Sequence, residues 1–133
     1  MEIHFKIIGV ILIALSGLHA LFPKYFDWIN ELRALRLINR QMMYVHTFFI
    51  ALIVFLMGLL CLTSSTDFTQ SDFGRKIAFG LGLFWMIRLF IQFFGYSSKL
   101  WKGKTFETVV HILLSLLWTY MSSVFMLTSL GTP

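Results

Sequence analysis

The chain has 133 residues, of which 58% are hydrophobic and only 13% charged, whereas a soluble domain of this size carries about a quarter charged residues. So little polar surface excludes a water-soluble globule and makes a bilayer the natural solvent; the length is that of one domain. The formal net charge of +5 points away from nucleic acid, because the basic residues sit in short segments between apolar runs, where they set membrane orientation and meet anionic lipid headgroups.

Four stretches approach the roughly 20 apolar residues that a membrane crossing needs. The first, residues 7–22 ("IIGVILIALSGLHALF"), is bounded by Lys6 and by Pro23 and Lys24. It is short enough to raise the question of a cleaved signal peptide. No small-x-small site precedes a mature N-terminus, so the segment is expected to remain as a span. Residues 27–40 ("DWINELRALRLINR") place Trp28, Leu32, Leu35 and Asn39 near one face and Arg33, Arg36 and Arg40 on another. Pro23 is expected to stop the first span and Asp27 to cap a short basic amphipathic helix at the interface.

The second span, residues 41–63, has no charge and carries His46 and Cys61. Its single cysteine excludes a disulfide framework and reads as a small buried apolar residue. A polar connection, "SSTDFTQSDFGR", leads to the third span, residues 77–98, interrupted only by Arg88. A second basic connection holds Lys99, Trp101, Lys102 and Lys104, and the fourth span covers residues 106–129 with Glu107 near its start. The expected fold is therefore all-α, a single domain forming a four-transmembrane-helix bundle. Lys24, Arg33, Arg36, Arg40, Lys99, Lys102 and Lys104 fall on one side, against Lys6, Arg75 and Lys76 on the other. The positive-inside rule puts the first group in the cytoplasm and both termini outside.

Depth gives the strongest functional signal. At 1.5 Å per residue, His19 lies roughly 5 Å from the basic side, His46, His111 and Gln92 roughly 8 to 9 Å, and Arg88 near 13 Å. Every span thus contributes a polar group to one layer. In the fourth span Glu107, His111, Ser115, Trp118 and Ser122 recur along one helical stripe. Trp85, Arg88 and Gln92 share a face of the third, and Gly9, Ser16 and His19 line up approximately in the first. Such stripes must face protein or trapped water, because unpaired polar groups in hydrocarbon cost several kcal/mol. Arg88 is expected to pair with Glu107, the one acidic side chain inside the spans.

Three uses of this layer stay open. His46 and His111, matched in depth, suit the axial ligands of a haem b, with Arg88 on a propionate and Gln92 nearby; His19, His46, His111 and Glu107 form a sufficient shell for a transition metal. Alternatively Arg88 and Gln92 grip the headgroup of a lipid or quinone while Glu107 and His111 move protons. In the third reading the chain is a structural subunit, a homo-oligomer or part of a larger membrane complex, packing through Gly58, Gly80, Gly82 and Gly95. The reading adopted is a cofactor or ligand site built on His19, His46, Arg88, Gln92 and His111.

The runs "INRQMMYVHTFFIALIVFLMGLLCL" and "FWMIRLFIQFFGYSSKLWKGKTFETVVHILLSLLW" resemble small four-span membrane proteins of bacterial genomes, of the Bacteroidota type and without assigned activity. The resemblance covers residues 37–118 and implies a bacterial inner-membrane location. In outline the arrangement is also similar to four-helix membrane cytochromes b, through architecture and paired histidines alone.

Overall fold

The structure, a computed structural model, describes residues 1–131, and these hold helices and turns with no strand. Four helices are long and apolar enough to cross a membrane: α1 (Glu2–Tyr25), α3 (Leu37–Thr63), α5 (Asp72–Phe94) and α6 (Thr105–Ser129). At 23 to 27 residues each they measure roughly 35 to 40 Å, against about 30 Å of hydrocarbon. Two short helices, α2 (Trp28–Glu31) and α4 (Ser65–Gln70), and a 3₁₀ turn at Ser98–Leu100 lie between them. The all-α class with four membrane-length helices thus stands. The described residues group into two compact units, residues 3–65 and residues 1–2 with 66–131.

In the first unit α1 and α3 run antiparallel and touch at two glycines. A β-carbon on Gly9 would stand 2.8 Å from the Gly58 carbonyl oxygen, and one on Gly58 would stand 2.9 Å from the Gly9 carbonyl oxygen and from Ile13 Cγ1. Both positions require glycine because the two backbones themselves are in contact, the close approach that small residues permit in membranes.

Several boundaries differ from expectation. The first helix does not stop at Pro23 but includes it in its last turn. Proline there forgoes only one N–H bond; the helix runs on to Tyr25, and the left-handed backbone of Asp27 (φ 52°) two residues later keeps it from continuing. Asp27 makes no side-chain cap to the following N–H groups; its carboxylate accepts from the Asn30 side chain at 2.9 and 3.1 Å, and Asn30 accepts from Arg33 at 2.8 Å. That side-chain chain holds a turn, so the amphipathic helix expected over residues 27–40 shrinks to the single turn of α2. The residues from Leu37 join α3. Trp28 is buried edge-on to Tyr44, with ring centroids 5.4 Å apart.

In the second unit α5 starts five residues before residue 77, because Ser71 caps it: the Gly74 N–H donates to Ser71 Oγ at 2.9 Å, with Asp72 in the first turn. The connection read as merely polar contains α4, whose Phe68 is buried edge-on to Phe125 of α6. Helices α5 and α6 pack antiparallel, with Gly82 against Met126 at one end and Gln92 against His111 at the other. Gly80 faces open space and an added side-chain carbon on Gly95 would meet only Ile91 of its own helix, so Gly58 and Gly82 alone of the four expected glycines sit at close helix contacts.

Candidate functional site

Arg88 sits three residues after Trp85 and four before Gln92, so the three side chains share the face of α5 turned to α6. Trp85 and Gln92 are buried and Arg88 half-buried. On α6 the stripe turns inward from His111 onward: His111 and Ser115 are half-buried, Trp118 and Ser122 buried, and Glu107 exposed. The serine hydroxyls are already spent on their own helix, Ser115 donating to the His111 carbonyl and Ser122 to that of Trp118, each at 2.8 Å. That leaves histidine, tryptophan, glutamine and arginine to define the site.

Gln92 is its hub. The Gln92 Oε1 accepts from Arg88 Nη1 at 3.1 Å and from Trp118 Nε1 at 3.3 Å, while Gln92 Nε2 lies 2.8 Å from His111 Nδ1. Guanidinium and indole nitrogens only donate, so the amide oxygen must face them and the amide N–H₂ must face the histidine. His111 Nδ1 therefore accepts, and the neutral ring carries its proton on Nε2. Among the described residues nothing accepts from that Nε2–H.

Aromatic rings close the site on several sides. The Arg88 guanidinium lies 5.1 Å from the ring centroid of Trp118 and 5.6 Å from that of Tyr96, within range of a cation–π attraction. Trp118 stacks on Trp85 at 5.0 Å and 13°. Trp101 stacks on His111 at 3.9 Å and 10°, held there by the Thr108 hydroxyl, which donates to the Trp101 carbonyl at 2.6 Å. Arg88 reaches along α5 toward Gln92 and Tyr96, toward the end that carries Lys99, Lys102 and Lys104, as a charged side chain does when it extends toward the interface.

The chain matches no family model, no curated protein and no solved structure.

The expected partner of Arg88 is corrected. Among the described residues Arg88 and Glu107 form no ion pair, and the acidic side chain is exposed. Glu107 lies four residues before His111, a full turn nearer the helix start, while Arg88 is engaged by Gln92. The half-buried cation thus faces a neutral amide and aromatic rings, without a counter-charge among the described residues.

The histidines divide between the units. Gln92, Arg88 and His111 come together in the second. In the first, His19 Nδ1 donates to the Leu15 carbonyl at 2.8 Å and its ring lies 4.7 Å from that of Phe22, while His46 is exposed. Ser16 likewise turns back on its own helix, donating to Ile13. Within each unit, among the described residues, no group of three or more His, Cys, Asp or Glu side chains stands close enough to hold a metal ion. Haem or metal ligation through His111 also fits poorly with its bonding, since a ligand needs an outward lone pair and Nε2 carries the proton.

Trp101 and Tyr96 belong to the site and were not legible as such. Trp101 carried the signal of an interfacial anchor, and its stacking on His111 depends on the path of the 3₁₀ turn. Tyr96 lies eight residues after Arg88 on a helical projection, a signal obscured by Gly95 between them.

Proposed function

We propose that this is an integral protein of a bacterial inner membrane whose α5–α6 hairpin binds the headgroup of an acceptor-bearing amphiphile, a lipid or a quinone. The observation that carries the reading is an imbalance of donors over acceptors. The acceptors offered by the cluster's side chains, Gln92 Oε1 and His111 Nδ1, are already taken. The buried Trp85 indole N–H has no partner, and the half-buried Arg88 guanidinium makes one hydrogen bond, to Gln92, with no counter-charge among the described residues. An unsatisfied buried donor such as the Trp85 N–H costs about 1–3 kcal/mol, and a half-buried cation without a counter-charge adds a desolvation cost of its own. A ligand rich in oxygen acceptors offsets these costs; a further donor or a hydrocarbon chain alone does not.

A second reading has one observation in its favour: the Gln92 oxygen takes two donors and its amide one acceptor, as in a purely structural clasp between α5 and α6. The two separate in one experiment. Protein purified in mild detergent is extracted and its bound small molecules are identified by mass spectrometry, for the parent chain and for Arg88→Leu. A headgroup site loses its amphiphile in the variant. Equal extracts from a folded variant leave only the clasp.

A further inference from the structure

The charge of the site narrows the ligand further, and this step rests on the headgroup reading above. Arg88 is always protonated, and the bonding pattern makes His111 neutral, so these two donors present one positive charge. No carboxylate pairs with it among the described residues. A quinone carbonyl would satisfy a donor but leave that charge uncompensated; a monoanion satisfies both. The chemistry of the donors suits an oxyanion, since guanidinium and imidazole N–H groups both donate to phosphate oxygens and the guanidinium also supplies the matching charge.

The surroundings favour a lipid source. The guanidinium bonds at the level of Gln92, which lies two residues before the end of α5, or roughly 3 Å of helix rise. That brings the charge close to the depth of lipid phosphates without drawing a headgroup into the hydrocarbon. The connection just beyond it carries Lys99, Lys102 and Lys104, all exposed and with no acidic residue before Glu107. Such a segment concentrates anionic lipid at this end of the hairpin. Exposed Phe90, Phe93 and Phe94 on the last turns of α5 offer an apolar wall for the acyl chains.

We infer that Arg88, with His111 Nε2–H as second donor, binds the phosphodiester of an anionic phospholipid, and that the lysine-bearing connection gathers this lipid without providing its site. The test is native mass spectrometry of the detergent-purified full chain with added phosphatidylglycerol, phosphatidylcholine or inorganic phosphate. The parent chain retains phosphatidylglycerol about tenfold better than phosphatidylcholine. Arg88→Gln removes that preference, Arg88→Lys keeps most of it, and replacing the three lysines by glutamine weakens loading but leaves the preference.

Equal retention of the two lipids overturns the inference. So does a preference that survives Arg88→Gln and vanishes with the lysines. Displacement of the lipid by inorganic phosphate alone would assign the site to a free anion and overturn the lipid assignment. A parallel titration with a neutral short-chain quinone, followed by tryptophan fluorescence, separates the two levels. Arg88-dependent quenching by the quinone, without lipid preference, defeats the phosphodiester and spares the headgroup reading. No binding of either defeats both. Arg88→Lys, which keeps the charge, guards against a variant that fails to fold.

Discussion

The arrangement around Gln92 depends on one amide being the right way round. Its oxygen is fixed by two groups that can only donate, and this dictates where His111 keeps its proton. Gln92→Glu retains the acceptor toward Arg88 and Trp118 but turns a second oxygen toward His111 Nδ1, which must then become a donor. Imidazole ¹⁵N chemical shifts of selectively labelled protein should place the His111 proton on Nε2 in the parent chain and on Nδ1 in Gln92→Glu. A parent chain already protonated at Nδ1 would contradict the assigned bonding. Gln92→Leu, which leaves the Trp118 N–H without its acceptor, should lower unfolding stability in detergent by about 1–2 kcal/mol. The four-residue spacing of Arg88 and Gln92 and the matching depth of His111 were readable in the sequence. The identity of the arginine's partner was not, because Glu107 offered the opposite charge, whereas Gln92, one turn along the arginine's own helix, takes the guanidinium and itself meets His111.

Among the helices, the spans themselves were legible because lipid leaves so few ways of satisfying the backbone; residues 41–63 and 106–129 could hardly be anything but helix. What the periodicity missed were the ends, where side chains compete with the helix. Ser71 starts α5 early, the left-handed Asp27 ends α1 late, and the Asp27–Asn30–Arg33 chain folds a turn where amphipathic spacing suggested a longer helix. Glycine counts were equally ambiguous, since a glycine at a helix contact and one facing open space look alike in sequence. Gly58 and Gly17 make that distinction measurable. Gly58→Ala places a methyl against backbone atoms of α1, whereas Gly17→Ala meets nothing within 4 Å. Helix propensity alone favours alanine by up to about 1 kcal/mol, so Gly17→Ala should be neutral or stabilising and Gly58→Ala destabilising. Thermal unfolding of both variants in one detergent reads the contrast; a harmless Gly58→Ala would mean that the α1–α3 approach is looser than its two facing glycines indicate.

For the whole molecule, four helices long enough to cross a membrane predict a parity that no single helix can. If each membrane-length helix crosses the bilayer, the connection between α1 and α3 is predicted to share a side with the connection between α5 and α6, with α4 on the other. Seven lysines and arginines fall in or beside the first two connections, against Lys6, Arg75 and Lys76 opposite, so the excess of positive charge is predicted to hold the first pair in the cytoplasm. With Cys61 replaced by alanine, single cysteines at Asn30, Thr66 and Ser98, all exposed positions, report the three connections. In intact cells a membrane-impermeant maleimide should label Thr66→Cys alone, and opening the membrane should expose Asn30→Cys and Ser98→Cys together. The reversed pattern would turn the protein over and present Arg88 to the outer leaflet, where a cytoplasmic pool of anionic lipid is out of reach. Labelling that separates Asn30 from Ser98 would break the parity itself and with it the count of four spans.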